Sequence, residues 1–164
     1  MSPDARQGQM AILSFALGAF AIGVSEFASM GLLPYYAADL GIADHKAGHA
    51  VSAYAIGVVI GAPVLAVLGA RLPRKAFLMM LIAGFALANL AGAVAPDATT
   101  LIGSRFLAGL PHGAFLGVAM LAAADMMPKG QRAAGVAKVL MGLTIANVIG
   151  VPAAGALGQA IGWR

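Results

Sequence analysis

Three ionisable residues lie inside stretches that are otherwise apolar enough to cross a bilayer. Glu26 sits in SEFASMGLLP, and Arg105 and His112 sit in TTLIGSRFLAGLPHGAFLGVAMLA, which runs from Thr99 to Ala122. Charge in hydrocarbon costs several kcal/mol unless it is paired or wetted, so such residues mark a functional site by default. Arg105 and His112 are seven residues apart and fall on one helical face, with Gly109 between them keeping that face open. Glu26 lies about seven residues inside Leu33 and Arg105 about six inside Thr99, which puts both roughly 10 Å from the same boundary. Opposite charges at matched depth predict a Glu26–Arg105 pair. As a static ion pair it would only fix helix packing. As a proton switch, the acid would release its partner when a proton binds. His112 is either a hydrogen-bonded packing residue or a further proton carrier. Asn89 and Asn147 are the remaining intramembrane polar groups considered, and they either bind substrate or hydrogen-bond helix to helix.

The elements that carry these residues follow from hydropathy. Hydrophobic residues make up 61% of the 164 and charged residues 10%, with a mean hydropathy of +0.91. A soluble domain is typically about a quarter charged, so this is an integral membrane protein. Five spans are expected, at residues 9–33, 48–69, 74–95, 99–122 and 134–157. Their connectors, LPYYAADLGIADHKA, RLPR, PDAT and DMMPKGQRA, hold Pro, Gly and most of the charges. The fold class is therefore all-α, a polytopic transmembrane bundle.

The net charge of +4 does not point to nucleic acid, because the basic residues sit in short loops where they set topology. One side receives Arg6, Arg71, Arg74, Lys75, Lys129 and Arg132, with Lys138 close by, and the other receives Lys46 and Arg164. The positive-inside rule places the N-terminus in the cytoplasm, and the expected location is the cell's inner membrane. The first apolar stretch is too long for a signal-peptide core and is read as a retained span. Cysteine is absent, and no nucleophile constellation, metal cluster or phosphate loop is apparent. The expectation is a non-enzyme with no cofactor and no metal.

Small residues recur at four-residue spacing in two spans, where they let helices approach closely. One set is Gly109, Gly113 and Gly117. The other is Gly142, Ala146, Gly150, Ala154 and Gly158, and Pro152 should bend that span. In the turn between the second and third spans, Arg71, Arg74 and Lys75 either set topology or form a gate latch with Asp125.

With these motifs in hand, the chain resembles the N-terminal part of a major facilitator superfamily transporter. It is most similar to the drug and metabolite efflux branch, of the arabinose-efflux-permease and chloramphenicol-resistance type. Four stretches carry the likeness: SEFASMGLLPYYAADLG, GARLPRKAFL, GSRFLAGLPHGAF and NVIGVPAAGALGQAIGWR. The family loop motif G-x-L-A-D-R-x-G-R-K is met at Arg71, Arg74 and Lys75, whereas Ala66, Ala70 and Pro73 replace its Gly, Asp and Gly. The span-four motif is met by Arg105 and Gly109, and the resemblance associates that Arg with proton coupling. The span-five antiporter motif keeps Pro152, with Val151 in place of the adjacent Gly.

The resemblance implies twelve spans in two halves, with this chain supplying five and lacking the sixth span and the second half. It implies proton-coupled efflux of a small organic molecule such as a sugar, nucleoside or drug. Uptake by a symporter or facilitator, or a truncated membrane protein that transports nothing, are the alternatives. The expected partners are the substrate, protons, the lipid bilayer and the missing half, and not nucleic acid.

Overall fold

The computed structural model describes residues 3–164, with side-chain surroundings from Arg6 onward. Eight α-helices follow one another, with no strand among the described residues. They are α1 (Pro3–Gly31), α2 (Leu33–Asp39), α3 (Asp44–Ala47), α4 (His49–Gly69), α5 (Arg74–Ala93), α6 (Ala98–Asp125), α7 (Arg132–Ile145) and α8 (Val151–Ile161). A π turn over Ala146–Gly150 joins α7 to α8. Five segments are long and apolar enough to cross a membrane: Arg6–Gly31, Asp44–Gly69, Arg74–Ala93, Ala98–Asp125 and Arg132–Ile161. In hydrocarbon every backbone N–H and C=O must be satisfied within the segment, and the helix does this for such sequences. Valines and leucines such as Val59, Val67, Leu87 and Leu121 point outward, as a lipid-facing surface requires.

The spans match those expected to within a few residues, with one difference in a connector. Leu33–Asp39, part of the first expected connector, forms the short helix α2, which has Pro34 in its first turn. Proline costs nothing there, because the first-turn N–H groups have no helical acceptor. Gly41 then turns the chain with φ +62°, a conformation that side-chain-bearing residues rarely adopt. At the start of α6, Asp97 accepts a hydrogen bond from the Thr100 N–H at 2.8 Å and caps the helix. That bond to a backbone N–H holds the Asp97 carboxyl below the usual carboxylate range.

The centre of the bundle is α6, which packs against α1, α4, α5 and α7. Its closest neighbour is α4. A Cβ at Gly109 would run into the Tyr54 carbonyl, one at Gly57 into the Phe106 carbonyl, and one at Gly61 into the Leu110 backbone. Gly109 therefore does not hold open the face between Arg105 and His112. It closes that turn of α6 directly onto the α4 backbone. Gly113 continues the contact toward Ala62, but Gly117 has open space beside it and takes no part.

The second stripe packs on α1. Gly142 abuts the Ala16 carbonyl, Ala146 faces Gly23, Gly150 meets Val24 and the Phe20 ring, and Gly158 meets Leu32. The interruption expected at Pro152 is the π turn that ends at Gly150. Proline contributes no N–H to the ladder, and the turn absorbs the break just ahead of it.

Candidate functional site

Arg105 is buried, and three helices converge on its guanidinium. From α1, Ser25 accepts twice, through Oγ at 3.3 Å and through its backbone carbonyl at 3.3 Å. From α5, Asn89 accepts through Oδ1 at 3.1 Å. From α4, the Tyr54 ring lies beneath the guanidinium carbon at 4.4 Å from the ring centroid, a cation–π contact. Asn89 is itself oriented by donating to the Phe85 carbonyl at 2.8 Å, and Ser25 donates to Asn89 Oδ1 at 2.5 Å. Among the described residues, Arg105 Nε is the one buried side-chain polar atom without a partner.

The expected Glu26–Arg105 ion pair is not formed. The neutral acceptors Ser25 and Asn89 hold the guanidinium instead. The reason is helical geometry: Ser25 and Glu26 are neighbours on α1 and point about 100° apart, so only one can face Arg105. The Glu26 carboxylate turns toward His112, with Oε2 3.9 Å from Nδ1, and keeps 24% side-chain exposure. His112 Nδ1 shares a 2.8 Å hydrogen bond with the Tyr54 hydroxyl. Glu26, His112, Tyr54 and Arg105 thus form one continuous cluster. The carboxylate and the guanidinium lie at its ends, and the imidazole and phenol lie between them.

Asn89 belongs to this cluster. Asn147 does not: it is exposed on the π turn and donates to the Leu143 carbonyl of its own helix at 3.2 Å. Two members were not singled out in the sequence, Ser25 and Tyr54. Ser25 stood beside the singled-out acid, and Tyr54 was a hydroxyl inside an apolar span. Each therefore carried a signal, although an isolated serine or tyrosine in a membrane helix is common.

A cavity of about 210 Å³ adjoins the cluster on the α2 side, reached by Ser25, Ser29, Tyr36, Asn89, Arg105 and Trp163. Trp163 closes it edge-on against Tyr36, with ring centroids 5.7 Å apart. The closure is tied to Asp39, which accepts from Trp163 Nε1 at 3.1 Å and from Arg164 at 2.9 Å. The Arg164 bond, then the Trp163 bond, keep the Asp39 carboxyl below its ordinary range. A larger groove, about 510 Å³, runs between α1 and α7 past Ile12, Phe20 and Met141, away from the polar cluster.

At the opposite end of the bundle, Asp125 accepts from Arg74 at 2.8 Å and also pairs with Arg132. The structure thus brings Arg74 to Asp125. Arg71 and Lys75 make no ion pair with that residue, and Arg132 does.

Helices that cross a membrane five times around a buried polar cluster define a multi-pass membrane protein. The chain belongs to the major facilitator superfamily, whose family model it matches over residues 15–164. It is 48% identical over 153 residues to the inner membrane transport protein YdhP of Escherichia coli K12, covering 93% of this chain and 39% of that protein. It is 39% identical over 149 residues to a chloramphenicol resistance protein of Streptomyces lividans, covering 91% of this chain and 38% of that one. The chain thus spans about two-fifths of the length of these relatives.

Proposed function

We propose that this chain supplies the proton-coupling part of an efflux antiporter for a small organic molecule, a drug, sugar or nucleoside. A second helical half completes the pathway, the N-terminus lies in the cytoplasm, and the membrane is the cell's inner membrane. The observation that carries this reading is the position of Glu26. It is a partly exposed carboxylate within a span, not tied to Arg105, and it stands 3.9 Å from an imidazole that leads back to Arg105 through Tyr54.

When the pathway faces outward, Glu26 takes up a proton. Loss of its charge removes an attraction felt by Arg105 across the cluster. The relative stability of the two access states changes by the difference in that attraction between them. When the pathway faces inward, the proton leaves as substrate binds. Asn89 is available to substrate through its remaining hydrogen-bonding capacity, and Asn147 would meet substrate only on the exposed face of the π turn. Arg74 and Arg132 on Asp125 serve as the inner latch. The name of the Streptomyces lividans relative supports a drug as one substrate class.

The test is proton release in proteoliposomes holding the complete protein, on addition of chloramphenicol, a pentose or a nucleoside as probes. Glu26→Gln should bind the active probe but lose flux driven by a pH gradient. Wild-type proton release in Glu26→Gln would reduce Glu26 to a structural group. Probe movement inward along with protons would assign symport instead.

A further inference from the structure

The Tyr54 hydroxyl is buried, and His112 Nδ1 is the one hydrogen-bond partner it has among the described residues. That count fixes the direction of the bond. If Nδ1 carried the hydrogen and Tyr54 accepted, the phenolic proton would point at no acceptor, and a buried unpaired donor is costly. The Arg105 guanidinium over the ring face favours the same direction. A cation on the π surface withdraws electron density and makes the O–H a better donor and a poorer acceptor. So Tyr54 donates, Nδ1 accepts, and neutral His112 carries its hydrogen on Nε2.

This arrangement holds His112 neutral until the Tyr54 bond reverses. An imidazolium has a hydrogen on both nitrogens, so its Nδ1 can no longer accept from Tyr54. On protonation the Tyr54 bond must reverse. The phenolic proton is then left without an acceptor, so the reversal carries the cost of a buried unpaired donor. The charged and titratable groups around Tyr54 are Glu26 from α1 and Arg105 and His112 from α6, with Tyr36 from α2 facing Arg105. From α5 the neutral Asn89 reaches the same cluster, and the buried face of α7 carries Gly135, Val139 and Gly142, none of which titrates.

We propose that Tyr54 is a positioning residue for proton coupling: its hydroxyl fixes His112 as the Nε2–H tautomer with Nδ1 turned toward Glu26, and its ring bears Arg105, so that a proton passing from Glu26 to His112 Nδ1 reverses the Tyr54 bond and is felt at the guanidinium. The inference deepens the antiport reading and rests on it for its functional meaning, but its structural core can be measured without substrate.

The experiment is ¹⁵N NMR of the complete protein labelled on histidine. The three histidines of this chain are assigned with His45→Gln and His49→Gln, and any further ones by His112→Gln. Wild type should show His112 as a single Nε2–H tautomer at neutral pH. Tyr54→Phe, which keeps the ring under Arg105, should give a tautomer mixture. In proteoliposomes that variant should bind chloramphenicol, or whichever probe proves active, as wild type does. The pH at which its proton release is half-maximal should be displaced by about one unit, a tenfold change in proton occupancy. An Nδ1–H tautomer in wild type, or a Tyr54→Phe tautomer and pH profile unchanged from wild type, overturns the proposal. Failure of the antiport reading shows separately, as wild-type proton release in Glu26→Gln, and does not move the tautomer.

Discussion

The glycine at 109 offers the sharpest test of how packing reaches the polar cluster. A Cβ placed there would collide with the Tyr54 carbonyl, with the Val58 nitrogen at 3.0 Å and with the Gly57 Cα at 3.1 Å. All three are backbone atoms of α4, so no rotamer change can relieve the clash. Restoring ordinary contact distances requires α4 to move by on the order of 1 Å. Overpacking of this kind costs typically 1–3 kcal/mol. For Gly109→Ala the change falls on the carbonyl of Tyr54 itself, so the same shift moves the ring under Arg105 and the hydroxyl on His112. Melting of the purified protein in detergent should fall by about 2–4 °C per kcal/mol lost. Proton-coupled transport should fall by more than the stability loss explains. The control is Gly117→Ala, eight residues along the same helix, where a Cβ meets nothing within 4 Å. It should be neutral, or stabilising by up to about 1 kcal/mol, because alanine is the better helix former. If Gly109→Ala melts and transports as Gly117→Ala does, the close α4–α6 crossing is not what positions Tyr54.

Two further perturbations address the ends of α8 and its contact with α1. Gly150→Leu drives a branched side chain into Val24 and Phe20, which are side chains that can partly yield, so the loss should be about 1–3 kcal/mol of stability, measured by thermal unfolding. Unchanged melting would mean that α1 and the π turn are not in contact. Asp39→Ala releases Trp163, the one tryptophan in the chain, so its emission should shift to the red and become more quenchable by iodide. The Asp39 carboxyl is held below its usual range in the folded state. The stabilisation from its ties to Arg164 and Trp163 is therefore complete above the unfolded value near 3.8 and fades as pH falls through the lower folded value. Wild-type emission should follow the variant's only at that acidic end, and a wild-type shift near neutral pH would assign the closure to another group.

The spans were legible because hydropathy alone sets where a chain can cross a membrane, and because the connectors carry Pro and charge. The depth match of Glu26 and Arg105 was legible as well. Their partnership was not, because a one-residue step on α1 turns a side chain by about 100° and hydropathy does not fix helix rotation. Rotation is set by the glycine contacts of α4 with α6 and of α7 with α1, and these involve backbone surfaces that no single-residue signal reports. The same limit explains Gly109, which lies between two functional side chains in sequence yet packs against backbone. It also explains Asn147, whose place depends on the π turn ahead of Pro152. Likewise α2 was missed because its seven residues look like a polar-edged connector.

The neutral grip on Arg105 has a consequence for the proposed mechanism. If the guanidinium depended on Glu26 for its only counter-charge, protonating the acid would leave a buried cation unpaired, and breaking a buried pair in this way costs several kcal/mol. Such a cost would have to be overcome in every transport cycle. Here the acceptors that hold Arg105 are a serine hydroxyl, a main-chain carbonyl and an asparagine amide. None changes charge between pH 4 and 9, so the guanidinium is held in both protonation states of Glu26. The carboxylate can then gain and lose its proton at a modest cost in stability, and what changes is the longer-range attraction passed through His112 and Tyr54. A coupling free energy of about 1–3 kcal/mol is enough to bias two access states by 5–150-fold, and an attraction of that size does not require direct contact between acid and base.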